Sequence, residues 1–476
     1  MNNAPRLKRG DEVELEITGS AFEGKSIARH NGLVVFVDGG VPGDCVAAQI
    51  TKTKKNLVEA RVVRLLKPSS LRTQPRCIHF GICGGCKWQH VDYGAQLRFK
   101  QQHVLDSFQR IGGFADVVVQ PIVGAEEIYF YRNKMEFSFA DQEWKELPPT
   151  DAVPPENAIP ELYLGLHVPQ RYDKILDLKE CHLQSEISNR ILEFTRSYFR
   201  TNNIRVYSTE TDAGYLRFLV VRQSRRTKEI MVNLVTRTDD SSLMTPYVQA
   251  LQAHVPEITT VVNTINTKRA QVAFGEQERI YAGEGTIREQ LGGYSFIISA
   301  GSFFQTNTSQ AERLFETAKG FGELKQSDTV YDLYSGTGSI ALFISSFVKQ
   351  VIGVDSVASA LKDAERNALA NGVTNCHYIL GDIKERLTRD SEWMAEFPSP
   401  DVIILDPPRS GVHPKVIERI IDVHPPRIVY VSCNPATQAR DVKLFCAERY
   451  RIEKLQPVDM FPHTYHIENV ALLVRK

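Results

Sequence analysis

The chain has 476 residues, in which 57 Lys and Arg balance 57 Asp and Glu, with 42% apolar and 24% charged residues. Such a length and composition indicate a soluble globular protein of about three domains and exclude a disulfide-stapled miniprotein. No apolar run approaches the roughly 18–20 residues of a bilayer span, and the polar start, Met1 to Asp11, lacks the apolar core of a signal peptide. A cytoplasmic protein with no membrane contact is expected. Global charge names no partner, but between Lys52 and Arg110 twelve basic residues stand against three acidic ones. That stretch suits either a polyanion or a solvated face.

Residues 6–67 read as short strands between glycine-bearing turns, Glu12 to Ile17, Leu33 to Val37, Cys45 to Ile50 and Leu57 to Leu66, which predicts a small β-barrel. Lys67 to Arg76 reads as a linker. Tyr93 to Ile111 carries Leu97, Val104, Leu105 and Phe108 at helical spacing and stops at Gly112 and Gly113. From about Tyr129 to Ile298 strands dominate, at Leu216 to Arg222, Ile230 to Thr236 and Thr260 to Asn266, predicting an antiparallel, helix-poor region with an exposed loop at Leu147 to Pro160. The last third alternates strand and helix, the pattern of a doubly wound parallel sheet. Its strands fall at Thr329 to Leu333, Gln350 to Val354, His377 to Leu380, Val402 to Leu405 and Arg427 to Val431.

Within that sheet, Asp332-Leu-Tyr334-Ser-Gly336-Thr-Gly338-Ser339 leaves the first strand and opens a helix, so its glycines can bring backbone close to a ligand. Asp355 ends the next strand, nineteen residues after Gly336, where an acid can accept from ribose hydroxyls. The third glycine of a dinucleotide fingerprint is absent, which favours a mononucleoside. This layout resembles the class I S-adenosylmethionine methyltransferases, and Gly381-Asp382 fills their third acidic position.

Asp406-Pro-Pro-Arg409 and Ser432-Cys433-Asn434-Pro435 follow the fourth and fifth strands, at the sheet's carboxyl edge. Carbon 5 of uracil is too weak a nucleophile to attack a sulfonium methyl unaided. Thiolate addition at carbon 6 makes it an enolate that can, so Cys433 is the candidate nucleophile, although a lone cysteine after a strand is more often a buried core thiol. Glu468 is the candidate base for the proton on carbon 5.

With Ser302-Phe-Phe-Gln305-Thr-Asn307 and Asp459-Met-Phe-Pro-His-Thr-x-His-Ile-Glu468, these blocks resemble the RNA uridine-5-methyltransferase family. The resemblance implies that Cys433 is the nucleophile and Glu468 the base. It implies cofactor contacts at Gln305, Tyr334, Gly336, Gly338, Ser339, Asp355, Asp382 and Asp406. Ser339 and Asp355 often appear as Asn and Glu in relatives.

Eight cysteines without a secretion signal point to metal ligation or catalysis, not disulfides. Cys45, Cys376 and Cys446 sit among apolar neighbours and are expected to be buried. Cys77, Cys83 and Cys86, with Cys181 as fourth ligand, can hold either zinc or a four-iron cluster, and their spacing is not C-x3-C-x2-C. The segment Cys77 to His90 is similar to the iron–sulfur segment of the same family, which implies a [4Fe–4S] cluster.

The resemblance also implies an organisation into a TRAM-like RNA-binding barrel (1–67), a β-rich central iron–sulfur domain (68–290) and a Rossmann-like methyltransferase domain (291–476). A helix within about 91–124 is expected to pack on the last. Tyr131 to Lys134 and Leu216-Arg217 match further family blocks and are expected to line the RNA path. Members with both barrel and four cysteines act mostly on large-subunit ribosomal RNA, and those acting on the transfer-RNA T-loop tend to lack both. A monomer acting on 23S ribosomal RNA is therefore expected, with transfer RNA as the enzymatic alternative and a catalytically silent RNA-binding iron–sulfur protein as the alternative of another class.

Overall fold

The computed structural model describes residues 7–54, 57–142, 162–169, 171–388 and 392–476; the expected loop at Leu147 to Pro160 lies outside them. Strands β1 (Glu12–Ser20), β2 (Ser26–His30), β3 (Leu33–Asp38), β4 (Cys45–Lys54) and β5 (Leu57–Lys67) close into a barrel in the order β1-β2-β3-β5-β4. Alternate side chains, among them Leu15, Ile17, Val35, Val37, Ala48 and Ala60, fill its interior. Strand β2 escaped the sequence reading because Ser-Ile-Ala-Arg-His carries few apolar residues. The linker that follows is anchored: the Ser69 amide and the Arg72 guanidinium both donate to Asp44, at 2.8 and 2.7 Å.

Helix α1 (Tyr93–Ser107) starts at Asp92, whose carboxylate accepts the Ala95 amide. Its Val104, with Phe108 just beyond, packs among residues of the C-terminal sheet.

The middle region is built on β6 (Lys134–Ala140), β7 (Tyr163–Val168), β8 (Arg171–Asp177), α2 (Glu186–Thr201), β9 (Leu216–Gln223), β10 (Ile230–Thr236), α3 (Ser241–His254), β11 (Thr260–Ile265) and β12 (Gln277–Ala282). The strands form one sheet, β12-β11-β10-β9-β6-β7-β8. The expectation of an antiparallel, helix-poor region is corrected twice: β10 and β11 run parallel, and two helices of 16 and 14 residues pack here. The parallel pair requires a crossover, which α3 supplies.

A hairpin, β13 (Thr286–Leu291) and β14 (Tyr294–Ser299), leads through α4 (Thr308–Gly322) into the last unit. There β15 (Thr329–Leu333), α5 (Ser339–Ile344), β16 (Gln350–Asp355), α6 (Ala358–Ala370), β17 (Cys376–Leu380), α7 (Ile383–Arg386), α8 (Glu392–Glu396), β18 (Val402–Leu405), α9 (Pro414–Val423), β19 (Arg427–Ser432), α10 (Pro435–Glu448), β20 (Tyr450–Val458) and β21 (Glu468–Arg475) form a seven-stranded sheet in the order β17-β16-β15-β18-β19-β21-β20. The first five strands are parallel, and β21 runs antiparallel to both its neighbours. Both faces are covered: Val330 of β15 joins one apolar cluster, Tyr331 and Leu333 the other. Cys45, Cys376 and Cys446 are half-buried, not buried as expected; Cys376 and Cys446 pack at the margins of two apolar cores. Among the described residues no helix is long and apolar enough to cross a membrane.

Candidate active site

The order of the last sheet puts β15 beside both β16 and β18, so the chain reverses direction across the sheet there and opens a crevice at the carboxyl ends. Tyr334, Gly336 and Gly338 turn out of β15 with φ of 66°, 53° and 72°. Left-handed backbone is unusual for tyrosine, and two amides, of Tyr334 and Ser335, donating to the Val354 carbonyl hold it there. A Cβ on Gly338 would stand 2.6 Å from the Tyr378 hydroxyl, whereas one on Gly336 would meet open space. The turn is thus packed below and open above. Ser339 is half-buried at the first residue of α5.

Around this turn, Asp355 accepts the Gly336 amide at 2.9 Å and the Val357 amide at 2.8 Å, leaving lone pairs for hydroxyl donors. Asp382 caps α7 and pairs with Lys384, and the Lys384 amide and ammonium hold its carboxyl below the usual range. Asp332 is fully buried, and its carboxylate oxygens have no well-aligned hydrogen-bond partner among the described residues, with the Ala341 amide close enough to draw the carboxyl down. Burial, with Asp406 and Asp355 nearby, pushes its carboxyl well above the usual range. The Ser335 hydroxyl is likewise buried and unpartnered. Orphaned polar atoms beside an open glycine turn call for a ligand that brings donors, and an amino acid joined to a nucleoside does so. The 302–307 loop lies across the turn, tied by the Thr337 hydroxyl donating to the Phe303 carbonyl at 3.2 Å; Gln305 on that loop accepts the Asn133 side-chain amide through its own carbonyl.

The second half of the site comes from β18, β19 and β21. Asn434 and Thr437 both donate to the Arg409 carbonyl at 3.2 Å, which joins the turn after Asp406 to the one after Cys433. Strand pairing sets Ser432 opposite Asn469, so one residue further Cys433 faces Glu468 across two antiparallel strands. Burial pushes the Cys433 thiol up to about 11, helped by the Glu468 charge, while Arg409 draws it down. Glu468 is raised well above the carboxylate range by burial and by Asp406, with Arg409 again opposing. Burial lifts Asp406 to about 7. The Arg409 guanidinium also contacts His466 Nδ1 at 2.9 Å.

The turn leading to Glu468 is fixed at successive carbonyls. Gln310 donates to that of Asp459, Asn307 to Met460, Lys100 to Phe461, Tyr131 to Pro462, and the amides of Lys87 and Trp88 to His463. Four separate parts of the chain therefore hold one loop. Sequence reasoning missed Gln310, Lys100 and the Lys87 amide in this role, since nothing local marks a group whose partner lies well over a hundred residues away.

Cys77, Cys83, Cys86 and Cys181 line one cavity of about 450 Å³, together with Arg132, Lys134, Thr464 and His466. Burial raises all four thiols, Cys83 to about 11 and Cys86 to about 12. One buried and three half-buried thiols around a hollow fit a soft, positively charged metal group, which would offset their desolvation by holding them as thiolates. Among the described residues no three Cys, His, Asp or Glu are grouped so as to hold a metal ion. Of the blocks expected to line the RNA path, Arg132 and Lys134 do border this cavity. Tyr131 and Arg217 do not: both are buried, with their polar atoms turned to protein carbonyls.

The strand order, the open glycine turn and the opposed cysteine and glutamate define a class I methyltransferase of the S-adenosylmethionine-dependent kind. The profile described as tRNA (Uracil-5-)-methyltransferase matches residues 218–476, and the TRAM domain profile matches residues 6–63. An uncharacterized RNA methyltransferase of Chlorobaculum tepidum is 43% identical over 99% of this chain and 98% of its own. One of Halalkalibacterium halodurans is 36% identical over 99% and 98%. The crystal structure of Pyrococcus abyssi tRNA (uracil-54, C5)-methyltransferase in complex with S-adenosyl-L-homocysteine is similar, with a TM-score of 0.73 at 29% identity, covering 97% of this chain and all of that one. The chain belongs to the RNA uracil-5-methyltransferase family, and is an S-adenosylmethionine-dependent enzyme with a TRAM domain.

Proposed function

We propose that Cys433 adds to carbon 6 of a uridine held between Asp406, Arg409 and the 302–307 loop, making carbon 5 nucleophilic. S-adenosylmethionine supplies an electrophilic methyl group at the glycine turn. Glu468 then takes the proton from carbon 5, and the electron pair of that bond expels the Cys433 sulfur from carbon 6. The reading is carried by the β19–β21 register, which sets Cys433 against Glu468. A carboxyl raised by burial is a strong base once ionised, as removal of a carbon-bound proton demands. Arg409 opposes the upward shift of both groups.

In the same reading, Gln305, Tyr334, Gly336, Gly338, Ser339, Asp355, Asp382 and Asp406 surround the methyl donor, and Cys77, Cys83, Cys86 and Cys181 hold a [4Fe–4S] cluster of structural role. The lining of one cavity by all four thiols supports a shared metal group, and the resemblance of the Cys77 to His90 segment favours the cluster over zinc.

The favoured substrate is 23S ribosomal RNA, supported by the presence of both the barrel and the four cysteines. Transfer RNA is the second reading, favoured by the likeness to the Pyrococcus abyssi enzyme over that protein's full length. Mapping 5-methyluridine in ribosomal and transfer RNA from a strain lacking the gene decides between them: loss at a 23S position is expected, and loss in transfer RNA alone would assign the second.

A further inference from the structure

Arg217 is 2% exposed, yet its guanidinium serves a loop on the protein surface. It donates to the carbonyls of Asn266 and Lys268 at 2.7 and 2.6 Å and to that of Ala270 at 2.6 Å, and it lies over the Tyr207 ring. The loop joins β11 to β12 and is tied further by Asn266 donating to the Val272 carbonyl and by the Thr267 amide donating to Glu276. At its tip Ala273 tucks against Phe218, Val220 and Val235. The flanking Val272 and Phe274 therefore point outward, 43% and 56% exposed, beside the exposed Lys268 and Arg269. A loop with an exposed aromatic ring, next to Arg269 and to a Lys268 paired with Glu276, and held by a buried guanidinium, is preorganised for contact.

Its position says with what. Lys134 places its ammonium 5.9 Å from the Phe274 ring centre, and Lys134 also borders the cavity lined by Arg132, Thr464 and His466. Glu278, the second residue of the next strand, places its carboxylate 3.5 Å from where a Cβ on Gly301, just before the 302–307 loop, would stand. The aromatic tip thus stands beside the four-cysteine cavity, whose wall also carries Thr306 of the 302–307 loop and Thr464 and His466 of the turn leading to Glu468.

We propose that the Thr267–Glu276 loop is a docking surface for the single-stranded RNA flanking the target uridine, with Phe274 stacking on a base and Arg269 meeting the backbone phosphates. Aromatic stacking beside cations is how single strands are held without reading their sequence. The inference rests on the proposed function and holds for either RNA substrate.

The test uses the intact protein and a fluorescein-labelled oligouridylate of about 20 nucleotides, with S-adenosylhomocysteine affinity measured alongside. Phe274→Ala is expected to weaken oligouridylate binding on the order of tenfold, Phe274→Trp to restore it, and both to leave S-adenosylhomocysteine binding unchanged. Arg269→Ala is expected to reduce the salt slope of binding by about one phosphate contact. Unchanged oligouridylate binding in Phe274→Ala would overturn the proposal and leave the patch to a protein partner. Equal weakness in Phe274→Trp, or a parallel loss of S-adenosylhomocysteine binding, would also overturn it, since the loop would then serve the fold.

Discussion

Lys100 and Asp459 form an ion pair at 2.6 Å in which neither side chain keeps any solvent exposure. It joins α1, which lies outside the catalytic sheet, to the turn that ends at Glu468. Asp459 also accepts the Tyr93 hydroxyl at 2.9 Å, and the Lys100 ammonium also donates to the Phe461 carbonyl at 3.0 Å. Removing one partner leaves a buried charge uncompensated. Lys100→Met is accordingly expected to cost about 3–5 kcal/mol. Chemical denaturation measures it, and a double variant with Asp459→Leu should recover much of the loss.

The glycine turn gives a second expectation. At Gly338 a side chain meets both a left-handed backbone and the Tyr378 and Ala364 side chains, so Gly338→Ala must displace the start of α5. Calorimetry should show S-adenosylhomocysteine binding weakened tenfold or more with the fold retained. Unchanged affinity would remove the turn from the cofactor site.

The ionisation of Cys433 gives a third. A thiol raised to about 11 is almost wholly protonated at neutral pH, so its thiolate fraction grows tenfold per pH unit up to that value. Iodoacetamide labelling of the Cys433 peptide in the free enzyme, followed by mass spectrometry, should accelerate by that factor from pH 7 to 10. Arg409→Gln removes the cation that lowers the thiol and should slow labelling at every pH in that range. A rate already flat above pH 7 would contradict both statements.

Protein purified without oxygen should be brown and contain about four iron per chain. Cys181→Ser should lose most of that iron. Stoichiometric zinc and no iron would show that the hollow holds a single ion.

How much of this was legible in the sequence depends on the reach of each interaction. The parallel sheet, its glycine turn and the cysteine after β19 could be read because each rests on a few consecutive residues. Helices α2 and α3 also carried a local signal, a Ser185 or Asp240 cap followed by apolar residues at helical spacing, which the flanking β-branched strands obscured. Arg217 could be noticed but not understood: three carbonyls some fifty residues away determine its orientation. The Lys100–Asp459 pair spans 359 residues, and no pattern in the chain marks it.

The covalent step is tested most directly by what accumulates on RNA when Cys433 or Glu468 is removed. Cys433→Ala should give neither product nor a protein–RNA adduct. Glu468→Gln should attack and methylate but fail to release, leaving an adduct that survives denaturing electrophoresis and carries labelled methyl from S-adenosylmethionine. Full activity of Cys433→Ala would contradict the covalent mechanism, and an unmethylated adduct in Glu468→Gln would move the action of that carboxyl ahead of methyl transfer.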